Sequence, residues 1–309
     1  MYTSEEQNVS SAFRDCFKYY KSRVPPPDLS QVLDLTLNPN HPKCARVEPK
    51  CAAMYLPSDH ELMEFGLKPV AEWKCYEMVD KPGLTIVPNI FIDSSAELVW
   101  AQRFVFDYAL DVQNCTNLDI DVAPSERAAY AEKCWSKFGE KLRWTTLGYH
   151  YDWTKKEYSA TRHTLYPRAL HDLARILANV VLGARDFRPQ ATIANYYTHN
   201  STLSGHVDKS EWQVQHPLIS ISLGQSAVYL TGGRTLSEQP DALMLHSGYI
   251  LIMTGAQRLV YHGVPRVLTN SRQYQPDCIA TATGAELDNR LIDYMNTHRI
   301  NVSIRQVHD

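Results

Sequence analysis

An α+β chain, with helices first and a compact β-core second, is what this sequence predicts. Three observations carry that expectation. Before residue 190, apolar residues recur with a helical period, as in "SSAELVWAQRFVFDYAL" and "LYPRALHDLARILANVVLG". After about residue 190 the texture changes to short β-rich runs separated by glycine-bearing turns. No stretch approaches the ~18 consecutive apolar residues that suggest a membrane span, and the oiliest run, "HSGYILIMTG", is far shorter.

Residues 10–23, "SSAFRDCFKYYKSR", predict a short helix stopped by "VPPP". The stretch up to residue 60 is rich in Pro, Asn and Lys and predicts an extended arm. "GLTIVPNIFI" predicts a strand, followed by a core-facing helix with a serine at its N-cap. A second helix is expected over 124–142 and a third over 165–183, where Gly183 makes a natural end. The later runs, from "QATIANYY" through "LISISLG", "SAVYLTGG" and "YILIMTG" to "INVSIRQV", predict strands of a sandwich or small barrel. The expected organisation is therefore an N-terminal helix and arm (1–60), a helical part (61–190) and a β-core (191–309). The last two form one integrated domain, and residues 269–290 are an irregular insertion before the final helix and strand.

The net charge of −3 excludes a uniformly basic coat, so any nucleic-acid binding requires a local patch. One candidate holds Lys133, Lys137, Lys141, Arg143, Lys155, Lys156, Arg162 and Arg168 against Glu132, Glu140, Asp152 and Glu157. A solvated helix surface would look the same. The seven cysteines are scattered and show no CxxC spacing, which points to a reducing, intracellular compartment. The N-terminus lacks the apolar core of a secretion signal, and Glu5 and Glu6 argue against a mitochondrial presequence. Arg14, Lys18, Lys21 and Arg23 follow them, so nucleus, mitochondrion and cytoplasm stay open. The chain is expected to act as a monomer without a membrane.

The informative chemistry starts at "SGHVDKSE", 204–211. His206 and Asp208 are two apart and point the same way from an extended segment. His262, in "VYHGVPRV", adds a second imidazole. Two histidines and a carboxylate can cap one face of a non-haem Fe(II) and leave open positions. Zinc accepts the same ligands, and buried structural histidines would fit as well. The last strand, "RINVSIRQV", adds Arg299 and Arg305 on one face with Asn301 and Ser303. Guanidinium suits a dicarboxylate such as 2-oxoglutarate, because it stays charged and meets a carboxylate with two parallel hydrogen bonds. Six residues separate the two arginines, about 20 Å at full extension, so two roles are expected. Asn195 and Tyr197 in "ANYY" share a face and offer further polar contacts, though an ordinary strand near a turn reads the same way.

The order N-x-Y, H-x-D, H and R-x-N-x-x-x-R, present here as "NYY", "HVD", "YHGV" and "RINVSIR", resembles the AlkB family of Fe(II)/2-oxoglutarate dioxygenases. The similarity extends to the eukaryotic AlkB homologue 1 branch, from "GLKPVAEWKCYE" to "RQV", and covers most of the chain. It implies a double-stranded β-helix (jelly roll) core, preceded by an N-terminal helical region and nucleotide-recognition segments. It implies Fe(II) on His206, Asp208 and His262, and 2-oxoglutarate on Asn195, Tyr197, Arg299, Asn301 and Arg305. The family reaction consumes O2, decarboxylates 2-oxoglutarate to succinate and hydroxylates an N-methyl carbon, which leaves as formaldehyde. The implied partners are tRNA, carrying 1-methyladenine or wobble 5-methylcytosine, and unpaired or single-stranded DNA carrying N6-methyladenine.

On the substrate side, "RWTTLGYHYDWTKKEY" interleaves aromatics and cations that can stack bases and meet phosphates. By resemblance, Trp144 and Tyr149 fall in the base-recognition lid, with Tyr151 beside them. Ser210 stands where bacterial AlkB has an acidic residue, and Tyr249 where relatives carry Asp. Both departures bear on the substrate while sparing the metal ligands. The chain runs only a few residues past the arginine strand, so a C-terminal extension found in some relatives is expected to be missing. The competing enzyme reading is a histone or other protein demethylase or hydroxylase, which an acidic mouth would favour. A lapsed fold kept only as a binding module is the remaining alternative. On the leading reading the Arg299–Arg305 face lines the interior, Arg299 holds 2-oxoglutarate, Arg305 works nearer the metal, and Ile300, Val302 and Ile304 pack outward against helices.

Overall fold

The computed structural model describes residues 11–275 and 287–309, so residues 276–286 of the expected insertion lie outside the described residues. Helix α1 (Ala12–Lys21) is capped by Ser11, whose hydroxyl accepts from the Arg14 amide. Helix α2 (Asp59–Glu64) opens with a reciprocal Ser58–Glu61 capping box. Helix α3 (Ser94–Gln102) is capped by Asp93 rather than by a serine, because the Asp93 carboxylate reaches the Ala96 amide at 2.9 Å. The expected 124–142 helix is broken at Cys134 into α4 (Arg127–Lys133) and α5 (Trp135–Lys141). Helix α6 (Arg168–Leu182) ends at Gly183 in the left-handed region, φ 67°, where glycine carries no Cβ penalty. Helix α7 (Asn289–Met295) leads into the last strand.

Fourteen strands lie among the described residues. They are β1 (Cys44–Val47), β2 (Cys75–Met78), β3 (Leu84–Val87), β4 (Cys115–Thr116), β5 (Trp144–Asp152), β6 (Glu157–His163) and β7 (Ala191–Tyr197), followed by β8 (Leu203–His206), β9 (Leu218–Gly224), β10 (Ala227–Thr231), β11 (Asp241–Leu245), β12 (Ile250–Met253), β13 (His262–Val267) and β14 (Arg299–Arg305). Ten of them form one sheet, in the order β1-β2-β3-β12-β9-β14-β7-β5-β4 with β6 paired to β5. The other four form a second sheet, β11-β10-β13-β8. The pairings are antiparallel throughout. Six strands of the larger sheet precede residue 191, and β1 lies within the stretch expected to be an arm.

The core follows the alternation of the central strands. Ile300, Val302 and Ile304 of β14 join Ile219, Ile221 and Leu223 of β9 against the apolar faces of α3, α6 and α7. The opposite face of the larger sheet meets the smaller one through Tyr197, Leu218, Tyr229, Leu245, Leu251, Met253 and Val264. A third cluster seals the outside of the smaller sheet, where Phe13 and Tyr20 of α1 pack on Val228 and Leu230 of β10. Phe13 sits directly over Gly205, where a Cβ would lie 2.5 Å from its ring. The glycine before the first candidate ligand is thus what lets α1 approach the strand from behind. The arm adds Leu33 beside β11 and ties Asp34 to His246 at 3.0 Å.

Candidate active site

Strands β8 and β13 pair so that His206 lies opposite His262. Their rings are 4.4 Å apart, and the loop after β8 brings Asp208 to within 3.6 Å of His262 and 3.9 Å of His206. The three ligand atoms all lie within 4.8 Å of one another, a grouping able to hold a metal ion. Each imidazole is oriented from behind by a main-chain carbonyl. Nδ1 of His206 meets Ser204 O at 2.9 Å, and Nδ1 of His262 meets Val260 O at 3.2 Å. A carbonyl only accepts, so Nδ1 carries the proton and Nε2 keeps its lone pair for a metal. Burial, with His262 nearby, pulls the His206 imidazolium down to about 4, so the ring is neutral near pH 7. Burial alone would raise the Asp208 carboxyl, but Arg305 and the two imidazoles hold it well below its ordinary range.

The two arginines of β14 differ in their surroundings. Arg305 is fully engaged: Nη2 donates to Asp208 Oδ2 at 2.8 Å, Nη1 to Ser303 O at 3.0 Å, and Nε faces Glu211 Oε1 at 2.9 Å. Arg299 meets only neutral acceptors. Nη1 donates to the Gln225 and Leu245 carbonyls, both at 3.1 Å, Nη2 donates to Ser222 Oγ at 2.7 Å, and Nε has no partner. It is 1% exposed, and burial draws its guanidinium down to about 10 with only Tyr197 opposing. A buried cation with no acidic partner and an unpartnered Nε fits a carboxylate that the protein itself does not supply. The unpartnered buried hydroxyl of Tyr197, its register partner on β7, offers a second donor on the same face. These features fit a divalent metal on the triad and a dicarboxylate beside it.

A cavity of about 800 Å³ joins these groups. Its lining includes His206, Asp208, His262, Arg299, Asn301, Ser303, Arg305 and Asn195, and it reaches Tyr151, Trp153, Lys156 and Ser210 at the β5–β6 hairpin. Asn301 donates to Ser220 Oγ at 2.7 Å, while the Asn195 side chain has no hydrogen-bond partner among the described residues.

A model of the 2OG-Fe(II) oxygenase superfamily matches residues 84–305. The Homo sapiens nucleic acid dioxygenase ALKBH1 is 34% identical, covering 96% of this chain and 84% of the human protein. The Schizosaccharomyces pombe tRNA demethylase abh1 is 32% identical, covering 98% of this chain and 97% of that protein. This chain belongs to the AlkB family of Fe(II)/2-oxoglutarate oxygenases. The Arabidopsis thaliana DNA N(6)-methyladenine demethylase ALKBH1A is 34% identical over 61% of this chain and 55% of its own length.

Within this AlkB-family enzyme, several residues sit away from their expected contacts. Trp144 is not among the residues lining the cavity: its ring packs against Trp153 at 5.1 Å, and it is Trp153 that lines the cavity. Tyr149 is likewise turned aside, its hydroxyl on His308 at 2.9 Å and its ring among His163, Trp212 and His308. The bulge between Tyr149 and Tyr151 changes the strand's alternation there, and Tyr151 reaches the cavity instead. Tyr197 stands beside Arg299 in the inter-sheet core, outside the lining. Ser210 donates to the Lys156 carbonyl at 2.9 Å and contacts the Tyr151 hydroxyl at 3.2 Å, tying the ligand loop to the hairpin. Tyr249 is committed to the arm through Thr36 Oγ1 at 2.6 Å.

Three residues of the site escaped sequence reasoning. Glu211 and Arg258 are buried and paired at 3.2 Å, and Tyr158 lines the cavity near Arg305. "DKSE" and "GAQR" look like ordinary polar loops. The one available signal was the glutamate three residues downstream of the H-x-D pair.

Proposed function

We propose that this protein is an Fe(II)/2-oxoglutarate-dependent demethylase of N-methylated nucleobases, with its jaws formed by a double-stranded β-helix. The substrates in view are 1-methyladenine in tRNA, wobble 5-methylcytosine as an oxidation target, and N6-methyladenine in unpaired DNA. The observation that carries the reading is the continuity of the cavity. One end holds the triad and Arg299, and the other holds the Tyr151 and Trp153 rings beside Lys156. Aromatics with an adjacent cation suit an extruded base and its phosphate. The activities for which the human, S. pombe and Arabidopsis relatives are named favour the same substrate class.

On this reading His206, Asp208 and His262 hold Fe(II), which, when bound, supplies the oxidation of the methyl carbon with O2 and 2-oxoglutarate. The protein's part is positional. Arg299, supported by Tyr197, binds the far carboxylate of 2-oxoglutarate, and Asn195 and Asn301 flank it on the same face. Arg305 keeps the Asp208 carboxylate aimed at the metal. Tyr151, Trp153 and Ser210 frame the base, and the exposed Lys133, Lys137, Lys141, Arg143, Lys155, Lys156, Arg162 and Arg168 offer phosphate contacts.

A protein substrate is less well served. Lys156, Lys209, Arg299 and Arg305 all line the cavity, and the two lining carboxylates, Asp208 and Glu211, are paired to arginines. No helix among the described residues is long and apolar enough to cross a membrane. The six described cysteines are free, consistent with the proposed reducing compartment in nucleus, mitochondrion or cytoplasm. The test is a panel assay in which enzyme, Fe(II) and 2-oxoglutarate meet methylated tRNA, methylated single-stranded DNA and methylated histone peptides, with product masses as readout. Demethylated bases with untouched peptides support the reading, and the reverse overturns it.

A further inference from the structure

We propose that Arg258 is a positioning residue of the metal centre, locking the Asp208 loop to the segment that carries His262. The inference rests on the metal assignment above and concerns a residue that touches neither metal nor substrate. Arg258 lies in the single 3-10 turn Gly255–Leu259 between β12 and His262. It is 2% exposed, and its guanidinium is divided three ways. Nε donates to His216 O at 2.9 Å, Nη1 to Asp208 O at 3.4 Å, and Nη2 pairs with Glu211 Oε2 at 3.2 Å. Both carbonyls belong to the loop that follows His206.

Glu211 carries the link onward. Its other oxygen lies 2.9 Å from Arg305 Nε, and Arg305 Nη2 holds the Asp208 carboxylate at 2.8 Å. The circuit therefore closes, from the Asp208 main chain through Arg258, Glu211 and Arg305 to the Asp208 side chain. It spans three segments that build the site: the loop that carries Asp208, the turn leading into His262, and β14. A planar fork can serve three acceptors in fixed directions, which a lysine ammonium cannot do at this geometry.

Charge alone predicts the opposite effect from positioning, and that makes the idea testable. Arg258 and Arg305 balance Asp208 and Glu211 in this buried cluster. Removing the Arg258 charge leaves the cluster net negative, which by Coulomb attraction would favour a divalent cation. If Arg258 acts by holding ligand geometry, its loss weakens metal binding despite the more favourable charge. Outer-shell partners of metal ligands typically matter by about 10–100-fold in affinity.

The experiment titrates Co(II) into metal-free wild-type protein, Arg258→Gln, Arg258→Lys and His206→Ala, following the visible absorption of bound Co(II). Thermal melts of the same metal-free samples report folding separately. Arg258→Gln is expected to bind Co(II) at least tenfold more weakly. Arg258→Lys, which keeps the charge and loses the fork, is expected to bind at least threefold more weakly. Co(II) affinity equal to or tighter than wild type in either folded variant overturns the proposal, even if its melting point falls. Should Arg258→Gln fail to fold, Arg258→Lys decides alone. Equal Co(II) binding by wild type and His206→Ala would instead overturn the metal assignment itself.

Discussion

Replacing Arg299 by glutamine should remove 2-oxoglutarate affinity while leaving metal affinity intact. In the structure Arg299 lines the cavity, donates to two carbonyls and to Ser222, and leaves Nε unpartnered. A carboxylate meeting its guanidinium side-on gains two charge-assisted hydrogen bonds, each worth about 1.5–3 kcal/mol. The loss is therefore about 3 kcal/mol or more, roughly a hundredfold in dissociation constant. Arg299→Lys restores the charge but only one bond, so it should recover part of the affinity. The assay is calorimetric titration of 2-oxoglutarate into Mn(II)-loaded protein, with Mn(II) affinity measured separately. Binding of 2-oxoglutarate by Arg299→Gln within threefold of wild type would refute the reasoning, and so would loss of Mn(II) in its place.

Other perturbations have equally definite expectations. Burial lowers the His150 imidazolium to about 4, against 6.5 in water. The unfolded chain therefore takes up a proton that the folded one refuses, and stability falls as pH drops from 6.5 towards 4. This residue alone accounts for about 2 kcal/mol lost between pH 7 and pH 5, so urea titrations of His150→Gln should show a correspondingly flatter profile. Phe13→Ala empties the contact behind Gly205 and should cost about 3–5 kcal/mol in denaturant unfolding. Lys156→Ala should weaken single-stranded oligonucleotide binding at all sequences and reduce the salt-dependence slope by about 0.7. Trp153→Ala should raise KM for a methylated oligonucleotide and leave 2-oxoglutarate affinity unchanged, as separate titrations would show.

Much of this site could be read from residue order because its logic is alternation. The period of two in "RINVSIR" separates Arg299, Asn301, Ser303 and Arg305 from Ile300, Val302 and Ile304, and the latter are fully buried under the helices. The same period puts Asn195 opposite Asn301 and Tyr197 opposite Arg299. What alternation does not show is which arginine finds a carboxylate within the protein. That depends on Glu211, which comes from a loop and whose burial no local pattern announces. Nor does it show the bulge between Tyr149 and Tyr151, beyond which Tyr151 reaches the cavity. β1 and β2 were hidden because they are four residues each, too short for a period to stand out.

The central claim is that one cavity holds the metal, 2-oxoglutarate and a methylated base together. Its most direct measurement is product stoichiometry on a tRNA carrying a single 1-methyladenine, counting succinate, formaldehyde and restored adenine in the same reaction. The account predicts equal amounts of all three with wild type and none with His206→Ala. Succinate accumulating without formaldehyde or restored adenine, on this tRNA and on single-stranded DNA carrying N6-methyladenine, would contradict it.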